Sequence, residues 1–295
     1  MRVIPPDRRR SHFAWLFVLA ALAAACSSDL QRMLDQAETS WRKGDYEEAI
    51  QANLTLYQRD ARGKYAARAL LNIGNIYYLN LRHLKEAIEY YDKLTQEFPD
   101  HPEALQARRQ LASIYANEEV IRDLDQAIAQ YDRLLEASDL ADRAEVEFQR
   151  ADAYFRKGEY DRALRALLSL EDSGISGRLA AQTALKIGDI YQLEKRFPEA
   201  IEPFRKVLAS NCQECRQRAI LSLSETYEYL LNFDKAIETI RMLDKTPENE
   251  GFILKEVARL TKMHKEVDRT GSSNWEQPRA SDGAPRKSAA TPVKK

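Results

Sequence analysis

The sequence predicts an all-α protein, a solenoid of about six helix–turn–helix repeats followed by a capping helix. Three observations support this prediction. Alanines recur every 36 to 40 residues in similar local sequences, a tyrosine lies about ten residues before each of the last five, and no long alternating β-pattern occurs. A fixed period of this length is typical of stacked supersecondary units that bury their apolar faces against neighbours. The alanines are Ala49, Ala87, Ala127, Ala163, Ala200 and Ala236, and the tyrosines are Tyr77, Tyr115, Tyr154, Tyr191 and Tyr227.

The second repeat shows why these residues predict helices. Between Ala66 and Tyr78, apolar side chains recur at three- and four-residue steps, which places them on one stripe of a helix. Alanine suits the close crossing of two helices because its side chain is small. Pro102 and Pro198 are each predicted to begin a helix, where the missing N–H of proline removes no hydrogen bond.

The residues at the repeat positions resemble the tetratricopeptide repeat (TPR) family. Repeat two matches most fully, and repeat five follows it, with a glycine in the first helix and an aromatic residue in the second. The resemblance covers residues from about 30 to 245 and implies a right-handed α-solenoid that binds partners on the concave face of its first helices. The matching residues are Leu70, Ile73, Gly74, Tyr77, Ala87, Tyr91, Leu94 and Pro99 in repeat two, and Gly188, Tyr191, Ala200, Phe204 and Val207 in repeat five.

Residues 1–25 are predicted to be an export signal. Arg2, Arg8, Arg9 and Arg10 form a basic start, and 13 apolar residues from Phe13 onward end in alanines. This run is too short to span a bilayer but suits the apolar region of a signal peptide.

The segment Leu22-Ala-Ala-Ala-Cys26 resembles a bacterial lipobox, with alanine in place of leucine three residues before the cysteine. The resemblance implies that Cys26 carries a thioether diacylglycerol and an N-acyl chain, with residues 26–29 as a short linker. Several acyl chains make a lasting membrane anchor. Ser27 after the cysteine favours the outer membrane, facing the periplasm. The alternative is ordinary signal cleavage beside an unmodified cysteine.

The mature chain is then predicted to hold the repeats over 30–247, a capping helix over 248–269 and a basic, disordered tail over 270–295 rich in Pro, Ser and Ala. The whole chain has 45 basic and 46 acidic residues, and removal of the leader leaves a net charge of −4. This balance, with no basic face interleaved with aromatics, excludes nucleic acid as a predicted partner.

Cys212 and Cys215 form a lone Cys-x-x-Cys pair. A periplasmic location would allow a disulfide between them. Two unreactive thiols are the first alternative. Metal binding or redox chemistry is the second alternative, and two observations weigh against it: no second cysteine pair completes a zinc site, and no βαβ unit gives a thioredoxin context.

No catalytic, cofactor or metal site is predicted. The four histidines lack metal-ligand partners at usable spacing, and the chain has no glycine-rich phosphate loop, nucleophile elbow or His-Glu-x-x-His motif. The predicted function is therefore binding. The family resemblance implies a partner-binding groove on the concave side of the first helices. Its large aromatics are expected to be exposed, because repeat stacking alone would leave their positions in water, and its second half is acidic. The groove residues are Trp41, Tyr78, Arg109, Phe148, Asp152, Phe155, Asp189, Gln192, Glu225 and Glu228.

Among envelope TPR lipoproteins, the sequence is similar to a group that includes BamD of the β-barrel assembly machine, the Tol-Pal coordinator CpoB (YbgF) and the pilotins of secretins. The stretch Glu97-Phe-Pro-Asp-His-Pro-Glu-Ala104 and the long period carry this similarity, and the short distance from Cys26 to the first repeat favours a BamD-like layout. The expected function is a non-catalytic scaffold for protein or peptide partners in envelope assembly. The alternatives are a Tol-Pal or peptidoglycan coordinator, a pilotin, or an enzyme-linked or Cys-x-x-Cys redox module.

Overall fold

A computed structural model describes residues 28–137, 141–247 and 249–270. The predicted signal peptide, Cys26 and the tail beyond residue 270 lie outside the described residues. Within the described ranges every regular element is a helix, and no strand occurs. None of the described helices combines the length and the apolar character that a bilayer crossing requires.

The chain divides into two compact units, Met1–Ala163 and Leu164–Lys295. In unit 1 a short π-helix, Ile76–Leu81, directly continues α3. The α-helices of unit 1 are α1 (28–43), α2 (Tyr46–Arg59), α3 (Lys64–Asn75), α4 (Leu84–Glu97), α5 (Pro102–Asn117), α6 (Leu124–Leu135) and α7 (Arg143–Lys157).

Helix α8 (Tyr160–Asp172) contains the boundary between the units. Unit 2 ends in its longest described helix, which extends over the segment predicted to cap the repeats. The helices of unit 2 are α9 (Gly177–Leu193), α10 (Phe197–Leu208), α11 (Gln213–Tyr229), α12 (Phe233–Ile240) and α13 (Glu250–Thr270).

Helices pack as successive pairs in each unit. In unit 1, consecutive helices from α2 to α7 contact each other, and in unit 2 the same holds from α9 to α13. Alternate helices also touch, α3 with α5 and α9 with α11, so these neighbouring pairs stack on each other. The recurring Ala87 and Ala200 are fully buried, as their place at helix crossings requires. The predicted all-helical fold of packed helix pairs is confirmed.

Two glycines allow the closest approach of paired helices. A β-carbon added to Gly74 of α3 would lie 2.5 Å from the ring of Tyr91 on α4, and one added to Gly188 of α9 would lie within 2.7 Å of the ring of Phe204 on α10. Both rings are fully buried. The glycine and the aromatic residue of a repeat are therefore complementary, because the ring occupies the volume that any other side chain would need.

The predicted helix starts agree with the observed ones. Pro102 is the first residue of α5, and the imidazole of His101 accepts a hydrogen bond from the backbone N–H of Glu103 at 3.5 Å. Pro198 is the second residue of α10, one position after the predicted one. In both places proline lies in the first turn, where its missing N–H has no partner within the helix.

Candidate functional site

The candidate binding surface is the face formed by the first helix of each pair, here called the A helices. In unit 1 these are α1, α3 with its π-helix, α5 and α7. In unit 2 they are α9 and α11, and the capping helix α13 is included with them because it follows the last pair. Because alternate helices touch, A helices lie side by side within a unit, and the two faces are described separately.

Two aromatic residues of the predicted groove lie at the start of the unit 1 face. Trp41 is half-buried against the cluster of Ala49, Ile50, Ile73 and Ile76, and its indole Nε1 donates to Asn80 Oδ1 at 2.9 Å. Tyr78 is only 9% exposed. Its predicted exposure is wrong, because the wider turns of the π-helix break the 3.6-residue period that was assumed through this segment.

Arg109, another predicted groove residue, is engaged within unit 1. Its guanidinium binds both carboxylate oxygens of Asp142, the residue before α7, and the Nε–Oδ2 distance is 3.1 Å. This hydrogen bond lowers the pKa of Asp142. The bidentate pair links α5 to the start of α7 and uses the donors that a ligand carboxylate would need.

Phe148, Asp152 and Phe155 share one side of α7, but only part of that side is open. Phe148 is 9% exposed, whereas Phe155 is half-buried with its ring centroid 5.6 Å from that of Tyr160. The predicted exposure of Phe148 is wrong. Buried positions cover more than half of the circumference of α7, so this helix is buried on more than the side that faces its partner helix. These positions are Val146, Phe148, Ala151, Ala153 and Tyr154.

This difference predicts unequal effects for two equal truncations. Phe148→Ala should lower the free energy of unfolding by about 3–5 kcal/mol because it leaves a cavity. Phe155→Ala should cost less, because its half-buried ring leaves a smaller cavity; its contact with Tyr160 contributes about 0.5–1.5 kcal/mol beyond the area that it buries. Urea denaturation of the two single variants measures both. Equal midpoints would show that Phe148 is no more part of the core than Phe155.

In unit 2, hydrogen bonds join α9 to α11 through two predicted groove residues. The carboxylate of Asp189 pairs with Arg218 at 2.7 Å, and burial raises its pKa while the arginine opposes that shift. Gln192 Nε2 donates to the backbone oxygen of Ser222 and to Thr226 Oγ1, both at 2.8 Å. These side chains hold neighbouring A helices together one repeat apart.

A second arginine does the same between α11 and α13. Arg259 donates to Glu228 at 2.8 Å and also pairs with Glu256, and these carboxylates raise the pKa of its guanidinium. The predicted acidic character of this half is therefore reduced, since Asp189 and Glu228 each have an arginine partner. Glu225 is exposed on α11. Arg259 was not among the predicted residues, because pairing across a repeat has no short-range sequence pattern.

Two apolar side chains that the sequence analysis missed are exposed on these helices. Leu221 of α11 and Phe252 of α13 are each 41% exposed. Leu221 precedes Glu225 and Glu228 by four and seven residues, and Phe252 precedes Glu256 and Arg259 by the same steps, so each shares a helix side with the paired charges.

Leu221 and Phe252 lie on helices that run in the same direction. Ser224 of α11 donates to the carbonyl of Ala236, and the Phe233 ring is 5.6 Å from that of His264. Helices α11 and α13 are therefore both antiparallel to α12 and parallel to each other. Glu228 bonds to Arg259, so Leu221 and Phe252 each lie about two turns before one member of this pair on their own helix.

The structure joins Cys212 and Cys215 by a disulfide at the start of α11, with their Cα atoms 5.2 Å apart. Within the described ranges no group of three or more His, Cys, Asp or Glu side chains is placed to hold a metal ion.

A known protein family matches the chain along its repeats. The family model described as tetratricopeptide repeat matches four overlapping ranges, 34–102, 76–142, 117–174 and 148–213. These ranges cover more than half of the chain and extend into both units. No curated protein matches significantly.

Several solved structures have a similar fold at low sequence identity. A tetratricopeptide repeat protein from Parabacteroides merdae aligns with a TM-score of 0.54 and 13% identity over 83% of this chain and 94% of its own. PilW, a type IV pilus biogenesis factor, gives 0.50 and 14% over 79% and 98%. YrrB, described as a TPR protein with an unusual peptide-binding site, gives 0.50 and 17% over 65% and 90%. At these identities the likeness concerns the fold alone.

Proposed function

The chain belongs to the tetratricopeptide repeat family, whose members are generally non-catalytic scaffolds, and we propose that it holds protein or peptide partners at the bacterial outer membrane during envelope assembly. The A-helix face of unit 2 is the binding surface in this proposal, and a lipid on Cys26 is the anchor.

The observation that carries the proposal is the exposed pair Leu221 and Phe252. An apolar pair bordered by charges is typical of a contact surface, in which aromatic and aliphatic anchors supply affinity and charges supply orientation. The partner segment would therefore present apolar side chains, as a helix or an extended strand. The peptide-binding site for which YrrB is described makes a peptide a suitable first probe.

The proposed location rests on the sequence before the first helix. The lipobox-like segment ending at Cys26 supports acylation, and Ser27 supports sorting to the outer membrane. Helix α1 already includes residue 28, the first described residue, so the repeats begin close to the proposed anchor. This layout favours a BamD-like role in β-barrel assembly over a Tol-Pal coordinator or a pilotin.

A double substitution tests the binding surface. Leu221→Ala with Phe252→Ala should reduce partner capture at least about tenfold, since loss of an anchor of this kind costs more than ~1 kcal/mol and 1.4 kcal/mol is tenfold. Capture is measured by affinity purification of the full-length protein from solubilised outer membrane, with quantitative mass spectrometry. Leu254→Ala is the matched control, because Leu254 is 66% exposed on α13 but is two residues from Phe252 and so points to another side.

The identity of the captured protein distinguishes the alternatives. A subunit of the β-barrel assembly machine that is lost in the double variant supports the favoured role. Tol or Pal proteins, or a secretin, would each support the corresponding alternative. Undiminished capture by a double variant with unchanged circular dichroism would place the binding site elsewhere on the chain.

A further inference from the structure

The Cys212–Cys215 disulfide lies at the N-terminus of α11. Cys212 is the residue before the helix, and Cys215 is in its first turn. The backbone N–H of Cys215 donates to Cys212 Sγ at 3.3 Å, so the sulfur of Cys212 accepts the hydrogen bond of a helix cap. The turn that precedes Cys212 is also held by a hydrogen bond, since the N–H of Cys212 donates to Ser210 Oγ at 3.3 Å.

The two sulfurs differ in accessibility. Cys215 is 4% exposed and belongs to the apolar cluster of unit 2 with Ala219, Ile220 and Phe204. Cys212 is only partly buried at the edge of that cluster. Because thiol–disulfide exchange requires in-line approach of a thiolate to a sulfur, Cys212 is the atom that a second molecule can reach.

The surroundings of Cys212 favour a thiolate there. The N–H of Cys215 points at its sulfur, and the partial positive charge of the N-terminus of a 17-residue helix adds to that effect. Arg216 follows in the first turn, while the carboxylate of Glu214 is paired with Arg178 at 3.0 Å. A thiolate formed at Cys212 on reduction is therefore stabilised.

We infer that this Cys-x-x-Cys pair exchanges its disulfide with external dithiols, an activity beyond the scaffold function. A thiolate of the dithiol attacks Cys212 Sγ and forms a mixed disulfide. The Sγ–Sγ bond breaks, and Cys215 leaves as a thiolate that takes a proton from solvent. The second thiol of the dithiol, as its thiolate, then attacks its own sulfur in the mixed disulfide and releases Cys212 as a thiolate. The protein gains two electrons and the dithiol becomes a disulfide.

The order of the two sulfurs is tested with single-cysteine proteins. Cys215→Ser leaves Cys212, and Cys212→Ser leaves Cys215, each in a Cys26→Ser background so that no third thiol reacts. The probe is an aryl disulfide that releases a coloured thiolate. Cys212 should react at least about tenfold faster than Cys215 in the folded proteins, and the two rates should converge in urea. The pH at which the Cys212 rate is half-maximal should lie below the usual thiol value of about 8.5.

The exchange itself is tested on the full-length protein carrying only Cys26→Ser. Dithiothreitol should expose two thiols while the far-UV circular dichroism stays unchanged, and removal of the dithiol under oxidised glutathione should restore the bond. Reduction that occurs only in urea, or a Cys212 thiol no faster than Cys215 in the folded state, would show that the disulfide is purely structural and overturn the inference.

Discussion

Replacing Phe204 by alanine should lower the free energy of unfolding of unit 2 by about 3–5 kcal/mol. The ring of Phe204 is fully buried in the apolar cluster of that unit and fills the space above Gly188. Truncation therefore leaves a cavity that neither helix can close, since α9 already approaches α10 as closely as a glycine allows.

The measurement is urea denaturation followed by circular dichroism, together with hydrogen exchange resolved by helix. In a repeat fold each unit stabilises mainly its neighbours, so lost protection should be concentrated in α9, α10 and α11. Phe252→Ala is the matched control, because it removes the same atoms from a ring that is 41% exposed and should change stability by no more than about 0.5 kcal/mol. Equal effects of the two substitutions would contradict the close pairing of α9 with α10.

The second large effect concerns the proposed anchor. Cys26→Ala should move the protein from the outer-membrane fraction to the soluble fraction or stall its processing. Each buried methylene of an acyl chain contributes about 0.8 kcal/mol, so loss of several chains removes essentially all membrane affinity. The measurement combines fractionation with incorporation of labelled palmitate.

Cys212→Ser provides the control for this experiment, since it changes a cysteine without touching the lipobox-like segment. That variant should incorporate palmitate and remain in the membrane fraction. A wild-type protein that takes up no palmitate would exclude the lipoprotein proposal and leave ordinary signal cleavage as the alternative.

The helix pairs could be predicted from sequence because their packing is local. The residues that decide it, such as Gly74 with Tyr91 and Gly188 with Phe204, lie within one repeat, and their spacing follows from helix geometry alone. The alanine at each helix crossing can be recognised for the same reason, because its place within the repeat follows from helix geometry. A pattern that repeats along the chain gives the same packing information several times.

The candidate surface was less predictable, for two physical reasons. Tyr78 and Phe148 were expected to be exposed, but a π-helix changes the period around the first and α7 is buried over more than half its circumference around the second. The carboxylates of Asp189 and Glu228 are paired with arginines about 30 residues further along the chain, so they contribute less negative charge to the surface than the sequence predicts. Such pairs are set by how neighbouring repeats stack, which the period does not specify.

The distance along the chain between bonded side chains has a consequence for how the protein folds. Links between repeats, such as Trp41 with Asn80, Arg109 with Asp142 and Asp189 with Arg218, span 39, 33 and 29 residues. Contact order is therefore low, and low contact order is associated with fast folding. Each repeat can close as soon as the next has emerged from the ribosome. The chain can thus acquire its structure in the order of its synthesis, with little apolar surface waiting for a distant partner.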